Sequence, residues 1–238
     1  MMTARTLRFV FDYESPNAYF AWTQLPRLEE TFGLSLEPVP VLYAGLLDAH
    51  GHVGPGEIPA KGRWMSKDLL RKSVTLGVPL NPPAFMPFNP LLALRVTLLD
   101  FDDKTRRALI QALFEAVWVR SLHVSEPAVV VRIADELGLP GAALVDRAQT
   151  PEIKAQLRRQ TEEAANRGAF GVPTMEVDGE LFWGYDDFPH LELFLAGKDP
   201  LDPGRWKEWR KPQASSNRKA FRAKVEGTEL EPPAEKRK

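Results

Sequence analysis

The sequence predicts an α/β domain interrupted by a block of helices. Three observations predict it. A strand–helix–strand pattern opens the chain, about a hundred residues of helical periodicity follow, and the last patterned segment returns to helix, two short strands and helix.

Leu7 to Asp12 (LRFVFD) is apolar and β-favouring, as expected of a strand covered on both faces. Ser15-Pro16 then reads as a helix start, serine being a preferred cap and proline a preferred first residue. Ala21, Leu25, Leu28 and Phe32 fall on one helical face, Pro26 is expected to kink the helix, and Gly33 to end it. Leu34 to Val41 is the second strand, marked by Pro38 and Pro40 as an edge or as ending early.

The Gly/Pro-rich stretch from Ala44 to Gly62 reads as a loop. Two helical stripes follow, Leu109, Leu113, Ala116 and Val117, then Val130, Ile133, Ala134 and Leu137. A helix from about Pro151 to Arg167 leads into VPTMEVDGELFWG, two β-prone runs around the hairpin signal Asp178-Gly179. A final helix turns Phe188, Leu191 and Leu195 inward.

This is the element order of a thioredoxin-like fold with an inserted all-helical domain. The thioredoxin part is discontinuous, about residues 1–60 and 150–197, and the insertion is about 61–149. Element order alone leaves other α/β topologies open. Residues 198–238 form a charged extension, with 12 Lys and Arg against 7 Asp and Glu, whose end is expected to be disordered. Within it, Trp206 and Trp209 interleaved with Lys207, Arg210 and Lys211 either dock a short helix or touch an anionic surface.

A net charge of −1 over 238 residues argues against a nucleic-acid binder. The N-terminus carries no apolar run of signal-peptide kind, and nothing approaches a membrane-spanning segment, so a soluble cytoplasmic protein is expected. No cysteine occurs, which excludes disulfides, thiolate metal sites and thiol redox chemistry by the chain itself. His50 and His52 lack a third ligand at suitable spacing, so no metal site is expected.

Five segments carry a resemblance: Phe11-Asp12-Tyr13-Glu14-Ser15-Pro16-Asn17-Ala18-Tyr19, FGVPTMEVDGELFWGYDD from Phe170, and between them Ile58-Pro59-Ala60-Lys61, Leu76-Gly77-Val78-Pro79 and Pro87-Phe88-Asn89. In order and spacing they resemble 2-hydroxychromene-2-carboxylate isomerases, relatives of kappa-class glutathione transferases and of DsbA-like thiol oxidoreductases. The resemblance covers about residues 7 to 196.

It implies a glutathione-dependent isomerase, active on a small aromatic-derived substrate and expected as a homodimer. A kappa-like glutathione transferase and a non-catalytic binding protein of the same fold are the alternatives. Ser15 would replace the attacking cysteine of the redox relatives, Ala18 standing where their second cysteine would be. Its hydroxyl would hydrogen-bond the glutathione sulfur at a helix N-terminus, favouring the thiolate.

Val172, before an expected cis Pro173, would pair with the cysteinyl backbone, and Trp183, Gly184 and Asp186 would complete the glutathione site. Asp186 would hold the γ-glutamyl ammonium. Many relatives have Arg where this chain has Asp187, which removes one anion-binding group. His52 either orients substrate and shuttles a proton or is a solvated loop residue. Lys61 either steers an acidic substrate or opens a helix in solvent, and Asn89 either meets substrate or caps the helix beginning near Pro90.

Overall fold

The computed structural model describes residues 5–209. Its sheet has four strands, β1 (Thr6–Phe11), β2 (Ser35–Pro40), β3 (Thr174–Val177) and β4 (Glu180–Trp183), in the order β2-β1-β3-β4. β1 is parallel to β2 and antiparallel to β3, and β3 is antiparallel to β4. β2 is an edge strand, which lets it carry Pro38 and Pro40 opposite Phe9 and Phe11.

Helix α1 (Pro16–Phe32) connects β1 to β2 and ends at Gly33, whose φ of 63° only glycine adopts without strain. It continues through Pro26 as one element. The stretch read as a loop holds helix α2 (Tyr43–His50) and the start of α3 (Pro59–Leu76), a correction. Leu46 and Leu47 are buried and Gly51 closes α2 at φ 64°, so glycine there ends a helix rather than excluding one.

Helices α4 (Leu91–Thr97), α5 (Asp103–Trp118), α6 (Pro127–Glu136) and α7 (Gly141–Ala148) follow, and α8 (Pro151–Asn166) leads back to β3. Asp178 and Gly179 both take positive φ, 51° and 86°, in the tight turn joining β3 to β4. Helix α9 (Phe188–Leu195) buries Phe188, Leu191 and Leu195.

Alternation along β1 divides the interior. Leu7, Phe9 and Phe11 face the larger core, where α1 and α5 bring Trp22 and Phe114 against them. Val10 faces the smaller one, with Leu46 of α2 and Ala164 of α8. The α5 stripe is fully buried as expected, whereas Leu137 is exposed because α6 ends at Glu136 and leaves it as the cap. Residues up to Lys198 form one compact unit. Those from Asp199 belong to a second, in which α10 (Pro203–Trp209) exposes Trp206 and Trp209. The expected disordered end of the extension lies outside the described residues.

Candidate functional site

The site begins where β1 runs out. Asp12 is fully buried, and its carboxylate accepts the N–H of Glu14 at 3.0 Å and the N–H of Tyr43 at 2.8 Å. It thereby ties the turn after β1 to the start of α2. Burial pushes its pKa up to about 7 against the lowering effect of those two donors. Burial also raises Glu14, and lifts Tyr43 to about 12 with help from Glu14, Glu57 and Asp12. The surroundings of the turn are acidic, so any pull towards an anion must come from the helix that follows.

Ser15 caps that helix. Its Oγ accepts the Ala18 N–H at 3.2 Å, and its hydroxyl donates to the Val172 carbonyl oxygen at 3.3 Å, across 157 residues of chain. The Val172-Pro173 bond is cis. Among the described residues the N–H of Val172 has no acceptor. A free N–H beside a carbonyl held only by a hydroxyl fits the extended backbone of a small peptide.

The wall beyond Val172 is fixed by β4 and the turn after it. Gly184, at φ 81°, donates its N–H to the Pro173 oxygen at 2.8 Å. The Trp183 indole lies over Gly171, where an added Cβ would sit 2.6 Å from Nε1, and it packs on Phe170 with ring centroids 5.2 Å apart. Asp187 accepts the Trp183 N–H at 3.2 Å and pairs with His190 at 2.8 Å. The Asp187 carboxylate thus closes its own turn.

Asp186 does not stand alone. Its Oδ2 accepts from the ammonium of Lys72 on α3 at 2.8 Å, and Lys72 also reaches Asn17 Oδ1 at 3.1 Å and Asp68 at 2.7 Å. Lys72 and Asn17 escaped the sequence reading. Nothing in the local pattern of α3 distinguishes Lys72 from its exposed neighbours Lys67 and Arg71.

The remaining candidates separate. His52 Nε2 meets the Phe170 oxygen at 3.0 Å and His50 Nε2 the Ala169 oxygen at 3.1 Å, so the end of α2 is held beside the approach to Val172. Lys61 is exposed in the first turn of α3, with no ion pair among the described residues. Asn89 Oδ1 accepts the Leu91 N–H at 3.0 Å from one residue ahead of Pro90, which is the cap of α4, and among the described residues no hydrogen bond joins it to Ser15 or Val172. The described residues contain no group of three or more His, Cys, Asp or Glu placed to hold a metal ion. No described helix is long and apolar enough to cross a membrane.

Comparison with known proteins adds to this geometry. The model of the DSBA-like thioredoxin domain family matches residues 6–196. A 2-hydroxychromene-2-carboxylate isomerase from Sphingobium xenophagum is 29% identical over 193 residues, 80% of this chain and 98% of its own. Glutathione S-transferase kappa 1 from Homo sapiens is 28% identical over 216 residues, 84% of this chain and 95% of its own. The solved structure of a 2-hydroxychromene-2-carboxylate isomerase matches with a TM-score of 0.75 at 26% identity, over 81% of this chain and 95% of that one. The cytosolic disulfide reductase DsbM from Pseudomonas aeruginosa, solved with GSH, shares the fold with a TM-score of 0.55 at 19% identity, over 86% of this chain and 95% of that one.

Proposed function

The chain belongs to the DSBA-like thioredoxin domain family, and on that premise we propose that it is a glutathione-dependent isomerase of the 2-hydroxychromene-2-carboxylate type. One observation carries the proposal. In a chain without cysteine, Ser15 caps the helix and its hydroxyl meets Val172 beside the cis Pro173, and in this reading it stands in for the attacking thiol of the redox relatives. Disulfide exchange is closed to such a site, whereas activation of a thiol brought from outside is not.

Bound glutathione would supply a thiolate that adds reversibly to the conjugated substrate, making a double bond single long enough to rotate. The residues of the chain do the rest. Ser15 turns its hydroxyl proton from Val172 to the sulfur, and the N-terminal end of α1 favours the negative charge there. The N–H and carbonyl of Val172 align the cysteinyl backbone, and Asp186 receives the γ-glutamyl ammonium through Oδ1, which has no partner among the described residues. His52, held against the Phe170 carbonyl oxygen, would meet the aromatic-derived substrate in this reading. The reading includes a homodimer acting in the cytoplasm.

The test is incubation of the hydroxychromene carboxylate with a small fraction of its molarity of glutathione. Isomerisation at constant free thiol is expected. Loss of one thiol per product would instead identify a kappa-like transferase. No conversion and no glutathione binding at millimolar concentration would leave a binding protein.

A further inference from the structure

Lys72 is a buried cation at the margin of the site, surrounded by polar partners from three elements. An ammonium has three N–H donors. Two hydrogen bonds run from it here, to Asn17 Oδ1 in the first turn of α1 and to Asp186 Oδ2 in the turn after β4, and Asp68 one turn earlier on α3 pairs with it ionically at 2.7 Å. The Tyr185 ring covers the same ammonium from 5.9 Å. Lys72 is thus already engaged with two carboxylates and an amide oxygen, one of the carboxylates being that of Asp186.

Its partners differ in how firmly they stand. Asp68 and Asn17 belong to long helices, and the Asp68 side chain is only 20% exposed. The Asp186 side chain is 69% exposed and sits in a three-residue turn. An exposed carboxylate of that kind loses rotamer freedom on meeting a ligand, and fixing it beforehand removes that cost from binding.

We propose that Lys72 is a positioning residue for the γ-glutamyl end of glutathione: anchored on Asp68 and Asn17, it holds Asp186 by Oδ2 and so directs Oδ1 to the ligand's ammonium. This rests on the glutathione reading above. Asp187, the neighbouring carboxylate, is taken up in its own turn, so the orientation of Asp186 is set from α3.

The experiment compares two ligands on two proteins. Glutathione carries the γ-glutamyl group and cysteinylglycine lacks it, while both present the same thiol and cysteinyl backbone. Lys72→Met should weaken glutathione binding, measured by calorimetry, by about tenfold or more. The same substitution should leave cysteinylglycine binding, followed by NMR shifts, within about twofold. Unchanged binding of both ligands, or equal weakening of both, would overturn the proposal, since a general structural defect cannot select for the γ-glutamyl group. Should Lys72→Met fail to fold, Lys72→Gln, which keeps two donors, carries the same comparison. Failure of the unsubstituted protein to bind glutathione at millimolar concentration would sink the glutathione reading itself. Binding by that protein together with the wrong pattern in the variant would sink only the role of Lys72.

Discussion

The Ser15 hydroxyl donates to the Val172 carbonyl oxygen at 3.3 Å while its own oxygen accepts the Ala18 N–H at 3.2 Å. One side chain thus caps a helix and points its only proton across the site. A sulfur arriving beside Val172 would compete for that proton and not for the cap, so the cap is compatible with the thiol activation proposed above.

Replacing Ser15 by Ala separates the two roles by magnitude. Loss of the cap should lower stability by about 1 kcal/mol, seen in urea unfolding. Loss of the donor to sulfur should lower isomerase turnover by roughly ten- to a hundredfold. Ultraviolet titration of bound glutathione should show its thiol pKa raised. A variant that kept full turnover would remove Ser15 from the chemistry.

Asp12 makes stability depend on pH in a definite direction. Its folded pKa, about 7, lies above the ordinary 3.8, so folding favours the protonated form. The associated stability is fully present below pH 3.8 and is lost as pH rises through 7. Asp12→Asn should flatten this part of the profile, the difference from the unsubstituted protein between pH 4 and 8 amounting to a few kcal/mol, on the order of 1.4 per pH unit of displacement. Parallel profiles for the two proteins would contradict it.

Gly171 has no room for a side chain, because the Trp183 indole covers it. Gly171→Ala should displace the ring, lower stability by about 1–3 kcal/mol and shift tryptophan emission. Trp183→Leu added to that variant should recover much of the stability. No recovery would mean that the backbone, rather than the indole, is what the methyl group disturbs.

Glu176 is buried on β3 between Arg8 and Arg167. Glu176→Gln keeps the shape and removes the charge, and should cost about 1–3 kcal/mol in denaturant unfolding, because both guanidinium groups lose a charged acceptor. Arg8 retains Glu37 and Glu163, so the loss should fall short of unfolding the domain.

What the sequence disclosed followed from local rules. Asp178-Gly179 specified a turn needing two positive φ values, Ser15-Pro16 a helix start, Gly33 its end, and two prolines an edge strand. Motif resemblance put Val172 and Asp186 forward as site candidates. The rest depended on contacts between distant elements. α2 was hidden because glycine and proline surround it, although Leu46 and Leu47 give it an apolar face. Asp12 gave no sign that Tyr43 would donate to it, and Lys72 differs from other lysines of α3 only in the groups that α1 and the turn after β4 bring to it.

The position of β1 between β2 and β3 has a consequence for synthesis. Its parallel partner follows within one helix, but the partner on its other side arrives only with the final hairpin. At ~5–20 residues per second, the 157 residues separating Ser15 from Val172 take roughly 8 to 30 s to leave the ribosome. For that interval one flank of β1 has no strand to receive it, and the Ser15 hydroxyl has no carbonyl opposite. The emerging chain then presents an unpaired strand edge, open to pairing with another chain, and the Ser15–Val172 contact can form only once the segment before the final hairpin has been made.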